Sequence, residues 1–301
     1  YDAVLITVGA STDKKLGLPN EDAAGITSAV DFLRNVSLGD CPDLSGQEVA
    51  VIGGGNVSMD AVRTAIRLGA KKVSIVYRRR VADMTALPAE IEAAVAEGVE
   101  LLTLVAPAGI EVDENGRVSG VRVTPQMIST IKDGRASVTA SGEPEYVIPC
   151  QTMIIAIGQN IEIKHYEESG IPVSRGKIVT LPNGGFADIP GVFAGGDCAS
   201  GPATVIKAVA AAKVTAANID EYLGYHHEIT CDIEIPIPNN NDHTPCGRVE
   251  LSEREASERK HDFEGVENCM NKKEIAQESG RCLRCDHFGF GIFKGGREKL
   301  W

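Results

Sequence analysis

The residues with the plainest chemical use are glycines. Gly53-x-Gly55-x-x-Ser58 sits inside the run VAVIGGGNVSMDAVRTAIRLGA. A glycine at 53 permits a tight turn, and one at 55 lets backbone approach a pyrophosphate. A small residue at 58 lets a helix lie close to a sheet. The free N–H groups and the dipole of a helix opening there favour an anion. A glycine-rich turn without a ligand is the alternative. Context argues against it, because an apolar strand precedes the motif and a helical pattern follows it.

The next strand, VSIVY, runs straight into Arg78-Arg79-Arg80. A fold that takes NAD carries an acid at this place for the ribose 2′-hydroxyl. Guanidiniums instead suit a 2′-phosphate, through paired charge-assisted hydrogen bonds. NADP(H) is therefore expected over NAD(H), against the alternative of a solvated basic turn. A third signal is Gly195-Gly196-Asp197 in VFAGGDCASGPATVIKAVAAAK. A carboxylate at a strand end could hold a flavin cofactor's polyol while the following helix start takes its phosphate. A simply capped turn explains the same residues.

Cysteine is the fourth. Of eight cysteines, Cys41, Cys150 and Cys198 lie in the first 230 residues and five lie in the last 71. Cys282-x-x-Cys285 is half of a tetrahedral site for zinc or an iron–sulfur cluster such as [4Fe-4S]. Cys269 is a candidate third ligand, and Cys231, Cys246, His287 or a cysteine of another chain a fourth. Arg281 and Arg284 favour thiolates there. A reduced, unused pair is the plain alternative. The six histidines show no ligand spacing. The acidic stretch Glu250–Glu267 is expected to be an exposed helix face, with an acidic docking surface as the alternative.

These residues need elements to position them. An apolar strand over Glu48–Gly53 leads into a helix through about Leu68, with Val57, Ala61, Ala65 and Leu68 on one face and Gly69 closing it. Val73–Val76 is the second strand, Pro88 opens another helix, and VELLTLV is the third strand. A further helix is expected at Ser28–Asn35. From about Ala106 to Pro149 the period changes to an alternating one, with Asn115-Gly116 marking a β-hairpin and KDGRASVTA another. TMIIAIG and the opening LITVGA read as two related strands on either side of the βαβ unit.

Composition bounds the function. The chain has 301 residues, 43% hydrophobic and 24% charged, which is globular and suits one or two domains. A net charge of −12 and 5% aromatic residues argue against nucleic-acid binding. No apolar run approaches the 18 or so residues a membrane span needs. There is no leader-like start, and cysteine usage favours a reducing cytoplasm. A first residue in mid-strand suggests a piece of a longer protein.

YDAVLITVGA, IGGGNVSMDAVRTAIRLGAKKVSIVYRRR, MTALPAEIEAAVAEGVEL, TMIIAIGQ and VFAGGDCASGPATVIKAVAAAK follow the order found in two-dinucleotide flavoproteins. The chain most resembles the glutamate synthase small-subunit family, whose relatives include subunits of NADPH–ferredoxin transhydrogenases and the flavin half of dihydropyrimidine dehydrogenase. The resemblance covers nearly the whole chain and is specific for the superfamily more than for the reaction. It implies that Gly53, Gly55, Asn56 and Val57 line the NADPH pyrophosphate and that Arg78 and Arg79 take the 2′-phosphate, with Gly54 and Ser58 of the same turn also expected at the cofactor. Gly196, Asp197, Thr204 and Val205 are implied residues of the FAD site, Asp197 on the polyol or phosphate, and Gly158 is a further expected cofactor-binding residue. Two departures stand out. Ala211-Ala212 occupy a place where relatives often have glycine, and the family's own FAD-binding Gly-x-Gly-x-x-Gly, upstream of the first strand, is absent.

The fold class implied is α/β, a Rossmann-like NAD(P)-binding domain inserted in a partial FAD-binding domain, followed by a C-terminal helical and loop tail. The expected division is 1–45 (end of the first FAD segment and linker), 46–150 (NADPH domain), 151–225 (second FAD segment) and 226–301 (cysteine-containing tail). The activity implied is hydride transfer from NADPH to FAD, for which no catalytic acid or base is needed. No cysteine lies between Ser45 and Pro149, so the electrons would leave to an iron–sulfur centre or a partner. Expected partners are a large catalytic or electron-accepting subunit and the missing N-terminal FAD-binding half. A ferredoxin-coupled NAD(P) transhydrogenase subunit and a non-catalytic NADPH-binding docking module are the alternatives.

Overall fold

The computed structural model describes residues 1–227 and 246–282, and the chain divides into two units. One unit holds residues 13–158 and 253–267. The other holds residues 1–12 and the described parts of 159–252 and 268–301. The first strand, β1 (Val4–Ile6), belongs to this second unit.

The 13–158 unit is built on a parallel sheet. Its chain order is β2 (Ile26–Ser28), α1 (Ala29–Ser37), β3 (Glu48–Ile52), α2 (Asn56–Arg67), β4 (Lys72–Tyr77), α3 (Pro88–Ala96) and β5 (Glu100–Thr103). An antiparallel ladder follows, made of β6 (Val105–Val112), β7 (Val118–Lys132), β8 (Arg135–Ala140) and β9 (Tyr146–Pro149). Then β10 (Thr152–Ile155) returns to the parallel sheet, giving the order β2-β10-β3-β4-β5. The middle strands are apolar almost throughout because both faces are covered. Val49, Val51, Val73, Ile75 and Ile154 lie in the core with the helices. Ala50, Ile52, Val76, Met153 and Ile155 lie in a second core with Val121, Val123 and Ile148 of the antiparallel ladder.

Local chemistry sets the ends of the elements. Ser28 caps α1 by accepting from the Asp31 amide at 3.0 Å. Pro88 opens α3, where a missing amide hydrogen costs nothing. Gly69, at φ +87°, takes the chain out of α2. At the tip between β7 and β8, Asp133 and Gly134 both have positive φ, the geometry that matches the twist of a two-residue hairpin.

Two expectations change. The unit does not run 46–150, because β10 pairs Thr152 with Val49 and Met153 with Ile26 in the middle of the sheet. A strand buried between two neighbours cannot belong to another domain, so residues 13–45 and 151–158 join it. LITVGA, read with TMIIAIG as one of two strands flanking the βαβ unit, forms β1, which pairs with β11 (Val192–Ala194), Val4 opposite Val192. VELLTLV is two strands, split at Leu104, whose φ of +58° turns the chain out of the parallel sheet.

The second unit places β11 before two helices, α4 (Asp197–Ser200) and α5 (Val205–Tyr222). Ile6, Ile161, Ile178, Phe186, Ala194 and Cys198 form its core. Within the tail, α6 (Ala256–Arg259) and α7 (Lys272–Gly280) are helical, the latter opened by a capping box between Asn271 and Glu274. Among the described residues no helix is long and apolar enough to cross a membrane.

Glu250–Glu267 is not an exposed helix face. Arg259 is buried, and its Nε donates to Glu97 Oε1 at 3.0 Å. Glu97, fully buried beside α3, also accepts from Arg63 Nη2 and Arg67 Nη1, each at 2.8 Å. Arg67 Nε reaches the Asp262 carbonyl at 2.7 Å. A carboxylate out of water demands this many charged donors.

Candidate nucleotide-binding site

The site begins where β3 ends. Gly53 has φ +149°, and a Cβ there would lie 2.3 Å from the Ala156 carbonyl oxygen just beyond β10. At Gly54 a Cβ would meet the Tyr77 ring at 2.7 Å. Gly55 faces more open space, with Thr85 Oγ1 the only atom within 4 Å of a Cβ, at 3.4 Å. It is also the N-cap of α2, and no side chain caps the helix. Ser58 and Met59 amides turn back to the Gly55 carbonyl. The amides of Asn56 and Val57 belong to the first turn of α2, whose donors have no intrahelical partner.

Neighbouring backbone braces this turn. Gly53 N donates to Val76 O at 3.2 Å, and Thr85 and Ala86 amides donate to Gly54 O at 3.0 and 3.2 Å. Asn56 Oδ1 accepts from the Leu87 amide at 2.9 Å, so half of its amide group serves the frame. Ser58 is fully buried with its Oγ unpartnered, so its small side chain shapes the turn from inside. Tyr77 and Thr85 were not identified from the sequence. The only signal for them was position, at the end of β4 and in the stretch before Pro88.

The carboxyl ends of β3 and β4 are adjacent, with Ile52 opposite Val76. The arginine run therefore starts beside the glycine turn. Arg78 is exposed, while Arg79 is half-buried with its Nε buried and unpartnered. Among the described residues neither forms an ion pair. Arg80 differs: its Nε and Nη2 donate to Asp83 at 2.7 and 3.0 Å. Arg80 first, and then the Ala136 amide, hold the Asp83 carboxyl well below the usual carboxylate range.

In this sheet β4 and β5 extend to one side of β3 and β10 lies on the other, so the strand order reverses at β3. Open α/β sheets bind ligands in the crevice at such a point, outside the carboxyl ends of the strands. Gly158, exposed at φ +119°, follows β10 at the same end of the sheet. Gly53 to Ser58, Arg78, Arg79 and Gly158 are thus brought to one edge of one unit.

Gly196, Asp197, Thr204 and Val205 lie in the other unit, after β11. Gly196 has φ +75° and Asp197 opens α4. Thr204 is the N-cap of α5 but makes no side-chain cap, and Val205 and Ile206 are 82% and 77% exposed. Two large apolar side chains at an uncapped helix start fit a surface meant to be covered. Cys269 and Cys282 are exposed, and Cys285 lies outside the described residues. Among the described residues no three His, Cys, Asp or Glu are grouped to hold a metal. Cys150 is buried, and burial first and then Glu48 push its thiol up to about 12.

A family model described as pyridine nucleotide-disulphide oxidoreductase matches residues 1–212. The beta subunit of an NADP(+)-dependent formate dehydrogenase from Moorella thermoacetica is 35% identical, over 98% of this chain and 44% of its own length. The beta subunit of an NADPH-Fe(3+) oxidoreductase from Geobacter sulfurreducens is 31% identical, over 95% and 48%. The small chain of glutamate synthase [NADPH] from Escherichia coli K12 is 36% identical, over 74% and 51%. The chain spans about half the length of these curated relatives. Among solved structures, Mycobacterium tuberculosis FprA in complex with NADPH superposes with a TM-score of 0.61 at 22% identity, over 74% of this chain and 64% of that one. Thioredoxin reductase of T. acidophilum gives 0.57 at 22%, over 74% and 65%. These likenesses show a shared α/β fold.

Proposed function

The chain belongs to the pyridine nucleotide-disulphide oxidoreductase family, and from that premise we propose that it is part of an NADPH-dependent flavoprotein oxidoreductase resembling the glutamate synthase small subunit. Residues 13–158 form its NADPH domain. Residues 1–12 and 159–225 supply the C-terminal part of its FAD domain. The relatives carry about as much sequence again, and the rest of the FAD site belongs to that half. A large catalytic or electron-accepting subunit takes the electrons, in keeping with relatives that are named as beta subunits and small chains.

The observation that carries this reading is the uncapped start of α2 behind Gly53–Gly55, at the edge where the sheet order reverses, with unpaired arginines on the next strand end. The Asn56 and Val57 amides would hold the pyrophosphate, and Arg78 and Arg79 the 2′-phosphate. Asp197 and the start of α5 would hold the flavin's polyol and phosphate. Bound nicotinamide and flavin supply the hydride chemistry themselves. This chain's residues bind and orient the two groups and keep water out, and no side chain need move a proton.

Calorimetric titration with NADPH and NADH tests the site. NADPH should bind at least about tenfold more tightly than NADH, and Arg78→Ala with Arg79→Ala should remove that preference while sparing NADH. Binding of neither nucleotide would overturn the assignment. For Cys269, Cys282 and Cys285 a shared zinc or cluster is a proposal from the sequence, to be decided by metal analysis of the purified chain.

A further inference from the structure

Three consecutive arginines look interchangeable, but the structure separates them. Arg80 is closed into a fork with Asp83, whose side chain is 1% exposed. All of the Asp83 carboxylate is in use. One oxygen accepts from Arg80 Nη2 and the Ala136 amide, each at 3.0 Å, and the other from Arg80 Nε at 2.7 Å and the Arg80 amide at 3.3 Å. Removing a donor from such a group leaves a buried charge uncompensated, so the fork stays closed.

Asp83 also ties together the parts that surround the phosphate edge. Through Ala136 it holds β8 of the antiparallel ladder. Its own carbonyl accepts from Tyr77 Oη at 2.7 Å, and the Tyr77 ring lies against Gly54 in the glycine turn. The Arg79 carbonyl is fixed in turn by the Leu104 amide at 3.1 Å. The loop after β4 is thus pinned on each side of Arg78 and Arg79, whose guanidiniums are the ones left for a ligand.

We propose that Asp83 is a positioning residue for cofactor specificity: it withdraws Arg80 from the anion site and orders the loop so that Arg78 and Arg79 alone read the 2′-phosphate. This rests on the NADPH reading above. The opposite arrangement has Arg80 as a phosphate ligand that Asp83 merely competes for, and the two differ in the sign of one effect.

The experiment measures NADPH and NADH dissociation constants for the 301-residue chain, Asp83→Asn, Arg80→Gln and the double variant. If the pair acts as one strut, each single variant and the double should lose about the same, roughly tenfold in NADPH affinity, with NADH unchanged. Tighter NADPH binding by Asp83→Asn would overturn the proposal, as would an unchanged ratio. So would a loss from Arg80→Gln that is equally large in the Asp83→Asn background. Unchanged NADH binding shows that the variants are folded. Should Asp83→Asn not fold, Arg80→Lys keeps the charge but not the fork, and its NADPH preference should fall by about threefold; no fall would overturn the proposal. Failure of the parent chain to prefer NADPH would instead sink the nucleotide reading itself.

Discussion

A methyl group at Gly53 would sit 2.3 Å from a backbone carbonyl, and the residue's φ of +149° is strained for any side chain. Neither the Ala156 carbonyl nor the turn can yield without moving β10. Gly53→Ala should therefore cost about 2–4 kcal/mol and lower the melting temperature by roughly 5–10 °C. Gly55→Ala is a control of a different kind. Its φ of −101° is ordinary and its nearest neighbour stands at 3.4 Å, so folding should hold while nucleotide binding falls. Thermal melts paired with NADPH titration separate the two. The arginines follow the same rule, in that a residue's chemistry here depends on what already occupies it. The run Arg78-Arg79-Arg80 was legible in the sequence as an anion site. That Arg80 is bound to Asp83 was not: the two are only three residues apart, but what holds Asp83 in place includes the Ala136 amide from 53 residues away.

At the scale of elements, α2, α3 and residues 253–267 meet around one carboxylate. Burial alone would raise the Glu97 pKa, but the guanidiniums of Arg63 and Arg67 outweigh it and hold the group below its ordinary value of 4.5. A carboxyl depressed in the folded state contributes stability above its unfolded value and loses it as pH falls through the folded one. Thermal stability should therefore drop below about pH 4.5, more gently in Glu97→Gln, which starts lower. At neutral pH Glu97→Gln should cost about 3–5 kcal/mol, since it removes the buried carboxylate that three arginines share; Arg63 keeps Glu90 and Arg259 keeps Glu253, but Arg67 has no other ion pair among the described residues. Arg259→Met should be milder, about 1–3 kcal/mol, with a sharper local sign. Hydrogen exchange should rise across residues 253–267 while β3 and β4 stay protected. If those residues remain protected, Arg259 is not what fastens them. The acidic tail suggested a solvated helix because its charges are dense. Only the fold shows that one of its arginines has a buried partner 162 residues away.

For the whole molecule, the two units differ in where they leave apolar side chains open. The 13–158 unit has both faces of its sheet covered, whereas the second unit leaves Val4, Leu5, Val205 and Ile206 exposed around β1 and the start of α5. NADPH binding should accordingly survive in this chain alone. Flavin content should be well below one per chain, read by absorbance near roughly 450 nm, and should rise when the upstream half of a relative is joined to it. A full complement of flavin in these 301 residues would show that the second unit needs no such half. What the sequence by itself determined is local: glycine spacing before a helix, arginines after a strand, apolar runs long enough for buried strands. Each reflects a backbone or charge requirement met within a few neighbouring residues. The tertiary structure alone decided that TMII is an inner strand of the parallel sheet, that LITVGA pairs elsewhere, and which charged residues remain free among those described. Those outcomes depend on which distant strands and counter-ions compete for the same partner, and one-dimensional spacing carries no record of that competition.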